Sequence, residues 1–199
     1  MIKILFVCHG NICRSPMAEY VMKDLVARRG IEGDFLIESA ATSDEEIGNN
    51  VYPPVRRLLA EKGVPCPTRK ARRIRPKDAE EFDYLIGMDN ANMRNMRAAF
   101  GETADGKMFK LLDFAGADAG AAAGADDGVG GSAGAGVTAV AGSGADDGVD
   151  GSSSACVTAG AGRDVADPWY SRNFEQCYAD VMAGCEGLLR HLKKGAASA

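Results

Sequence analysis

Several things are scarce in this 199-residue chain, and each scarcity removes a class of function. No stretch approaches the ~20 consecutive apolar residues of a membrane-spanning helix, so no membrane role is expected. Basic residues are not in excess: 23 Lys and Arg against 28 Asp and Glu give a net charge of −5. A general nucleic-acid binder needs the opposite balance, so no nucleic-acid partner is expected. Histidine occurs only as His9 and His191, and no Cys-x2-Cys pair is present. Neither a structural zinc site nor any other metal site is expected. Six cysteines make an even number, but the chain is long and Met1–Val7 is too short for a signal-peptide core. Reduced thiols in a cytoplasmic protein fit better than a disulfide framework.

What is present reads as alternating strands and helices. Lys3–Val7 is a continuous apolar run, suited to a strand buried on both faces of a parallel sheet. Ser15-Pro16 looks like a helix start, with Ser as N-cap and Pro at the first helical position. Met17, Tyr20, Val21, Leu25 and Val26 follow at helical spacing as far as Gly30. Phe35–Ala40, Tyr84–Met88 and Met108–Leu112 read as further strands. Helices are expected from Pro53 to Gly63, Pro76 to Phe82 and Asn90 to Phe100. The expected fold is therefore three-layer α/β, a four-stranded parallel sheet flanked by helices.

Between Ala115 and Gly162 the pattern stops. That block has no Leu, Ile, Met or aromatic residue, and it repeats GADDGV at Gly124 and Gly144 and VTA at Val137 and Val157. Two short repeats without apolar residues to stack do not make a solenoid. The block reads as a flexible, mildly acidic insertion that cannot bury enough apolar surface to order itself. The domain expectation is one domain over 1–199, interrupted by a Gly/Ala/Asp-rich insertion at about 115–163. Beyond it, Phe174, Cys177, Tyr178, Val181, Met182, Cys185, Leu188 and Leu189 form the apolar stripe of a last helix.

Chemistry concentrates at Val7-Cys-His-Gly-Asn-Ile-Cys-Arg-Ser-Pro16. A loop at a strand-to-helix junction, with the helix dipole behind it, can curl its N–H groups around a tetrahedral anion. Gly10 and Asn11 are residue types that tolerate the left-handed backbone such a curl needs. Arg14 offers a donor fork that lysine lacks. The positive surroundings should favour the Cys8 thiolate, with the Ser15 hydroxyl donating to it.

This loop resembles the phosphate-binding loop of the low-molecular-weight protein tyrosine phosphatases. Further segments similar to that family follow in its order: Glu38–Ser43, Lys70-Ala-Arg72, Gly87-Met-Asp-Asn90 with Asn92, and Asp167-Pro-Trp-Tyr170. The resemblance covers roughly 1–114 and 164–194 and implies the phosphotyrosine protein phosphatase I-like fold. It implies hydrolysis of phosphotyrosine on tyrosine-phosphorylated proteins, through a phosphocysteine on Cys8 and without a cofactor. Arg14 and the loop His9, Gly10, Asn11, Ile12 and Cys13 would bind the phosphoryl group. Ser15 would stabilise the thiolate, Asp167 would act as general acid and then base, and Trp169 and Tyr170 would wall the cleft. A Cys8–Cys13 disulfide under peroxide is a further implication. The chain departs from the family pattern at Arg69, where His is frequent, and at Ala41, where Gly is. Related activities on this scaffold are arsenate reduction, arginine phosphatase activity and non-catalytic phosphotyrosine binding. The arsenate enzymes relay oxidation through two further cysteines in a flexible segment, whereas Cys177 and Cys185 fall on an apolar stripe. The arginine phosphatases typically carry Thr at the position of Ile12, and an apolar Ile12 favours an aryl phosphate.

Overall fold

In the computed structural model, residues 1–116 and 163–196 are described, with side chains to Lys193. The two repeats, Cys156 and nearly all of the proposed insertion lie outside them. Four strands, β1 (Ile2–Cys8), β2 (Phe35–Ala41), β3 (Tyr84–Gly87) and β4 (Met108–Lys110), form one sheet in the order β2-β1-β3-β4. Every pairing is parallel. The helices are α1 (Arg14–Ala27), α2 (Pro53–Glu61), α3 (Asp78–Glu81), α4 (Asn90–Phe100), α5 (Pro168–Ser171) and α6 (Phe174–Ala196).

β1 explains the layering. Its side chains alternate faces, and both faces are covered. Ile4 and Phe6 join the core built from α1, α2 and α6, while Leu5 and Val7 join a second core with Phe82, Met96 and Phe100. A strand buried on both sides must be apolar throughout, as this one is. Val165 and Cys185 belong to the same core as Ile4 and Phe6, so the segments flanking the undescribed stretch pack into one body. α6 approaches the chain after β4 so closely that a Cβ on Gly187 would lie 1.8 Å from the Phe114 carbonyl oxygen. Only glycine fits there.

The strand order also locates the site. β1 has β2 on one side and β3 on the other, so the chains leaving the carboxyl ends of β1 and β3 diverge and open a crevice. Cys8 ends β1, and Asp89 follows β3.

Three local expectations are corrected. α1 begins at Arg14 with Cys13 at the cap and no side-chain cap bond, so Ser15 is not the N-cap. Its hydroxyl is engaged by Cys8 and Asn11 instead. The helix expected from Pro76 is only Asp78–Glu81. β4 stops at Lys110 because Leu111–Asp113 tightens into a 3-10 turn, where the Asp113 carboxylate accepts from the Lys110 N–H.

Candidate active site

The end of β1 is fixed before the loop begins. Cys8 pairs in register with Ala41, and its carbonyl accepts from the Thr42 N–H at 2.9 Å. Ala41 is fully buried there, so the departure from glycine is accommodated within the sheet. The loop then turns back over the sulfur. Asn11 has φ 57°, the left-handed conformation its type was expected to tolerate. That turn aims its N–H at Cys8 Sγ, 3.3 Å away, while Ser15 Oγ lies 3.1 Å from the same sulfur. Gly10 does not have a positive φ; its role is spatial. A Cβ there would stand 3.1 Å from Glu46 Cγ, which lies across the loop.

Beneath the loop is a network whose members are scattered along the chain. The Asn11 side-chain amide donates to Ser15 Oγ and Ser39 Oγ, both at 2.8 Å. Ser39 donates to Glu19 at 2.6 Å. Arg69 reaches in from the following loop, donating to Asn11 Oδ1 at 2.8 Å and to Glu19 at 3.1 Å. The Arg72 N–H also donates to Asn11 Oδ1. Asn11 and Ser39 are almost fully buried, so every one of these partners matters. Arg69, the departure from the family pattern, is thus a brace with several bonds.

Arg14 is equally buried, at 3% exposure. Its Nη1 donates to Asp89 at 2.6 Å and to the Val165 carbonyl at 3.2 Å, and its Nη2 donates to Asp167 at 2.5 Å. Burial alone would lower its pKa. The negative charge expected at Cys8 and the carboxylates of Asp167 and Asp89 outweigh that and raise it, so Arg14 is a permanent cation. Asp89 also caps α4, accepting from the Asn92 N–H at 2.6 Å. One carboxylate therefore both starts a helix and orients the arginine.

Asp167 comes back from a distant part of the chain because its segment is tied to the sheet. The Val165 N–H donates to the Met88 carbonyl at 2.8 Å, and Lys110 Nζ donates to Asp164 at 3.0 Å. Asp167 Oδ1 accepts from the Trp169 N–H at 3.0 Å as the N-cap of α5, leaving Oδ2 for Arg14. Asp167 thus both caps α5 and lies within reach of Arg14.

These groups surround one cavity of about 140 Å³. Cys8 lies at its floor, the phosphate-loop candidates His9, Gly10, Ile12 and Cys13 and the Arg14 guanidinium line it, and Asp167, Trp169 and Tyr170 face them. Asn11 and Ser15 do not line it and act from below. Trp169 leans on Tyr52 with ring centroids 5.2 Å apart, whereas Tyr170 is 84% exposed. His9 Nε2 is 3.0 Å from Glu45, at the mouth. Cys13 and Cys177 are buried, and burial pushes both thiols up, Cys177 to about 12.

Residues 3–140 match the family described as low molecular weight phosphotyrosine protein phosphatase. The chain belongs to that family. Among its relatives, the low molecular weight protein-tyrosine-phosphatase YfkJ of Bacillus subtilis is 31% identical over 194 residues, covering 98% of this chain and 97% of YfkJ. The Drosophila melanogaster low molecular weight phosphotyrosine protein phosphatase 1 is 38% identical over 112 residues, covering 56% of this chain and 71% of its own. The crystal structure of YfkJ superposes with a TM-score of 0.72 at 30% identity, covering 98% of this chain and 96% of that one. The chain is thus a phosphatase of the low molecular weight class with the four-stranded parallel sheet of its family.

Among the residues around the cavity, Asp89, Glu19 and Ser39 were not singled out from sequence as working parts, and Arg69 was noted only as a departure from the family pattern. The signal for Asp89 was present, an Asp three residues before Asn92 at a helix start. Nothing local marks Ser39 or Glu19, whose partners lie on other elements.

Proposed function

We propose that this phosphatase hydrolyses phosphotyrosine on proteins, with Cys8 as nucleophile, Arg14 as phosphoryl-binding group and Asp167 as general acid and base. One observation carries the reading: Cys8 Sγ lies at the floor of a narrow cavity, receives hydrogen bonds from below, and shares that cavity with Arg14 and Asp167.

The phosphoryl group enters the loop and its oxygens compete with Asp167 for Arg14 Nη2. Asp89 keeps Nη1, so the guanidinium stays oriented while one arm changes partner. Cys8 Sγ forms a bond to phosphorus as the bond to the tyrosyl oxygen breaks, and the Asp167 carboxyl gives its proton to the departing phenolate. Charge on the equatorial oxygens is held by the arginine fork and the loop N–H groups. In the second half, the Asp167 carboxylate takes a proton from water, whose oxygen attacks phosphorus. The S–P bond breaks, leaving thiolate and inorganic phosphate. Ser15 and the Asn11 N–H stabilise the thiolate in both halves.

Depth selects the substrate. Cys8 is 3% exposed, so the phosphoryl group must stand at the end of a long, rigid arm. A phenyl ring between Ile12 and Trp169 supplies that arm and packs against both, whereas a phosphoserine methylene does not reach. The arsenate-reductase alternative needs accessible resolving thiols, and Cys177 and Cys185 are both fully buried in the core.

The five described cysteines are free, which supports a reducing, cytoplasmic setting. Among the described residues no helix is long and apolar enough to cross a membrane. The chain is read as one phosphatase domain with 115–163 as an insertion.

The test is turnover of phosphotyrosine, phosphoserine, phosphoarginine and arsenate by purified protein, wild type and Cys8→Ser. Phosphotyrosine should be cleaved far faster than the rest, and Cys8→Ser should lose about 10⁵-fold or more, the scale seen when a nucleophile is removed. Faster cleavage of phosphoarginine, or an active Cys8→Ser variant, would contradict the assignment.

A further inference from the structure

The cavity that holds Cys8 opens into a trough. It shares Ile12, Glu46 and Trp169 with a second cavity of about 360 Å³, whose wall continues through Asn49, Tyr52 and Arg56. The second shares Pro53 and Arg56 with a third of about 390 Å³, completed by Arg57, Ala60, Val64 and Cys66. A continuous path therefore leads from the phosphate loop along the first turns of α2.

Charge changes sign along this path. At the inner junction Glu46 already accepts from the Asn49 side-chain amide at 2.7 Å, and Glu45 is engaged by His9. Farther out, the only charged side chains in the wall among the described residues are Arg56 and Arg57. Neither takes part in an ion pair among the described residues, whereas Arg69, Arg72, Arg73 and Arg75 on the neighbouring segment all do. The chain is acidic overall, so two guanidinium groups without carboxylate partners in a concave wall stand out as places for a negative ligand.

We propose that this trough docks the polypeptide flanking the phosphotyrosine, and that Arg56 and Arg57 select an acidic side chain on it. The proposal rests on the phosphatase reading above. With the phosphate at Cys8, the substrate backbone crosses the mouth of the pocket. An extended chain then advances about 3.3 Å per residue, so side chains a few residues away lie over α2. Exposed ion pairs are individually weak, and two of them sharing one acidic segment give a preference of about tenfold at most.

The test compares wild type with an Arg56→Glu/Arg57→Glu double variant on matched phosphotyrosine peptides and on 4-nitrophenyl phosphate. The peptides carry Asp, Ala or Lys at the second to fourth positions on one side of the phosphotyrosine or the other. Wild type should prefer the acidic peptide on one side by about fivefold to tenfold in kcat/KM, through KM, and added salt should shrink that preference. The double variant should lose the preference or turn it toward lysine while cleaving 4-nitrophenyl phosphate within about twofold of wild type. Equal turnover of all peptides by wild type, a wild-type preference for lysine, or an unchanged acidic preference in the variant would overturn the proposal. No turnover of 4-nitrophenyl phosphate by wild type would instead count against the phosphatase reading.

Discussion

The floor and the far wall of the active-site cavity are built in different ways. The floor is over-determined: Asn11, Ser15, Ser39, Glu19 and Arg69 hold one another and Cys8 through hydrogen bonds that are buried, except that those from Arg69 are part-buried. The far wall rests on a four-residue helix, α5, whose aromatic residues Trp169 and Tyr170 are exposed. Its Asp167 is held mainly by the Trp169 N–H and by Arg14. The division matches what each part must do. The groups that hold the thiolate and phosphoryl oxygens gain from not reorganising during reaction. Under the proposed mechanism Asp167 has to leave Arg14 when the phosphoryl group arrives, which calls for a light tether.

This contrast can be broken from either side. Asp167→Asn can keep the N-cap hydrogen bond, because Asn caps as well as Asp, while it removes the proton, the charge and the acceptor that faces Arg14. It should lower kcat/KM, which reports the first half-reaction alone, about 10²-fold for phenyl phosphate. The loss should be far smaller for 2,4-dinitrophenyl phosphate, whose phenolate leaves without protonation. An equal loss with both leaving groups would mean that Asp167 is structural.

On the floor, Arg69→Met should lower kcat about tenfold with every leaving group alike, since it loosens the loop without touching the proton. It should also cost about 2 kcal/mol of stability as charged hydrogen bonds are lost. Arg69→Lys should restore part of the stability through Glu19 but less of the rate, because an ammonium cannot reach Asn11 and Glu19 as a fork does. A leaving-group dependence in Arg69→Met would erase the distinction between the two regions.

Farther from the chemistry the effect on rate should vanish. Asp78 is fully buried between Arg72 and Arg75. Burial alone would raise its pKa, but hydrogen bonds and charge from the two arginines outweigh that and hold it below the usual carboxylate range. A depressed folded pKa stabilises above the unfolded value and loses that contribution as the pH falls toward the folded one. Asp78→Asn should therefore cost about 3 kcal/mol at neutral pH, leave kcat within about threefold, and flatten the wild-type loss of stability below about pH 4. Denaturant midpoints measured from pH 3 to 7 check this; parallel curves for wild type and variant would contradict it.

Local chemistry was legible in the chain and long-range pairing was not. Cys8, Asn11, Arg14 and Ser15 lie at one strand-to-helix junction, so their spacing alone suggested a sulfur under an anion cradle; in the structure Ser15 Oγ and the Asn11 N–H lie 3.1 and 3.3 Å from that sulfur. The double burial of β1 was readable because both faces demand apolar residues. Asp167 was found only through resemblance, since an Asp before a Pro reads first as a turn. Glu19, Ser39 and Arg69 come from three different elements, and no spacing rule joins them. Two local inferences at the loop failed, each for its own reason. Ser15 would cap α1 if its hydroxyl were not taken by Cys8 and Asn11, and Gly10 serves the close approach of Glu46 and not a left-handed turn.

The central claim, that phosphate passes through Cys8, is tested most directly by acid-quenching the enzyme during turnover of an aryl phosphate and mapping the phosphorylated peptide by mass spectrometry. The account predicts one phosphoryl group on Cys8, absent from Cys8→Ala turned over under the same conditions. It also predicts a higher trapped fraction in Asp167→Asn with an activated leaving group such as 2,4-dinitrophenyl phosphate, because the second half-reaction loses its base. A phosphoryl group on any other residue, or an intermediate that survives in Cys8→Ala, would contradict it.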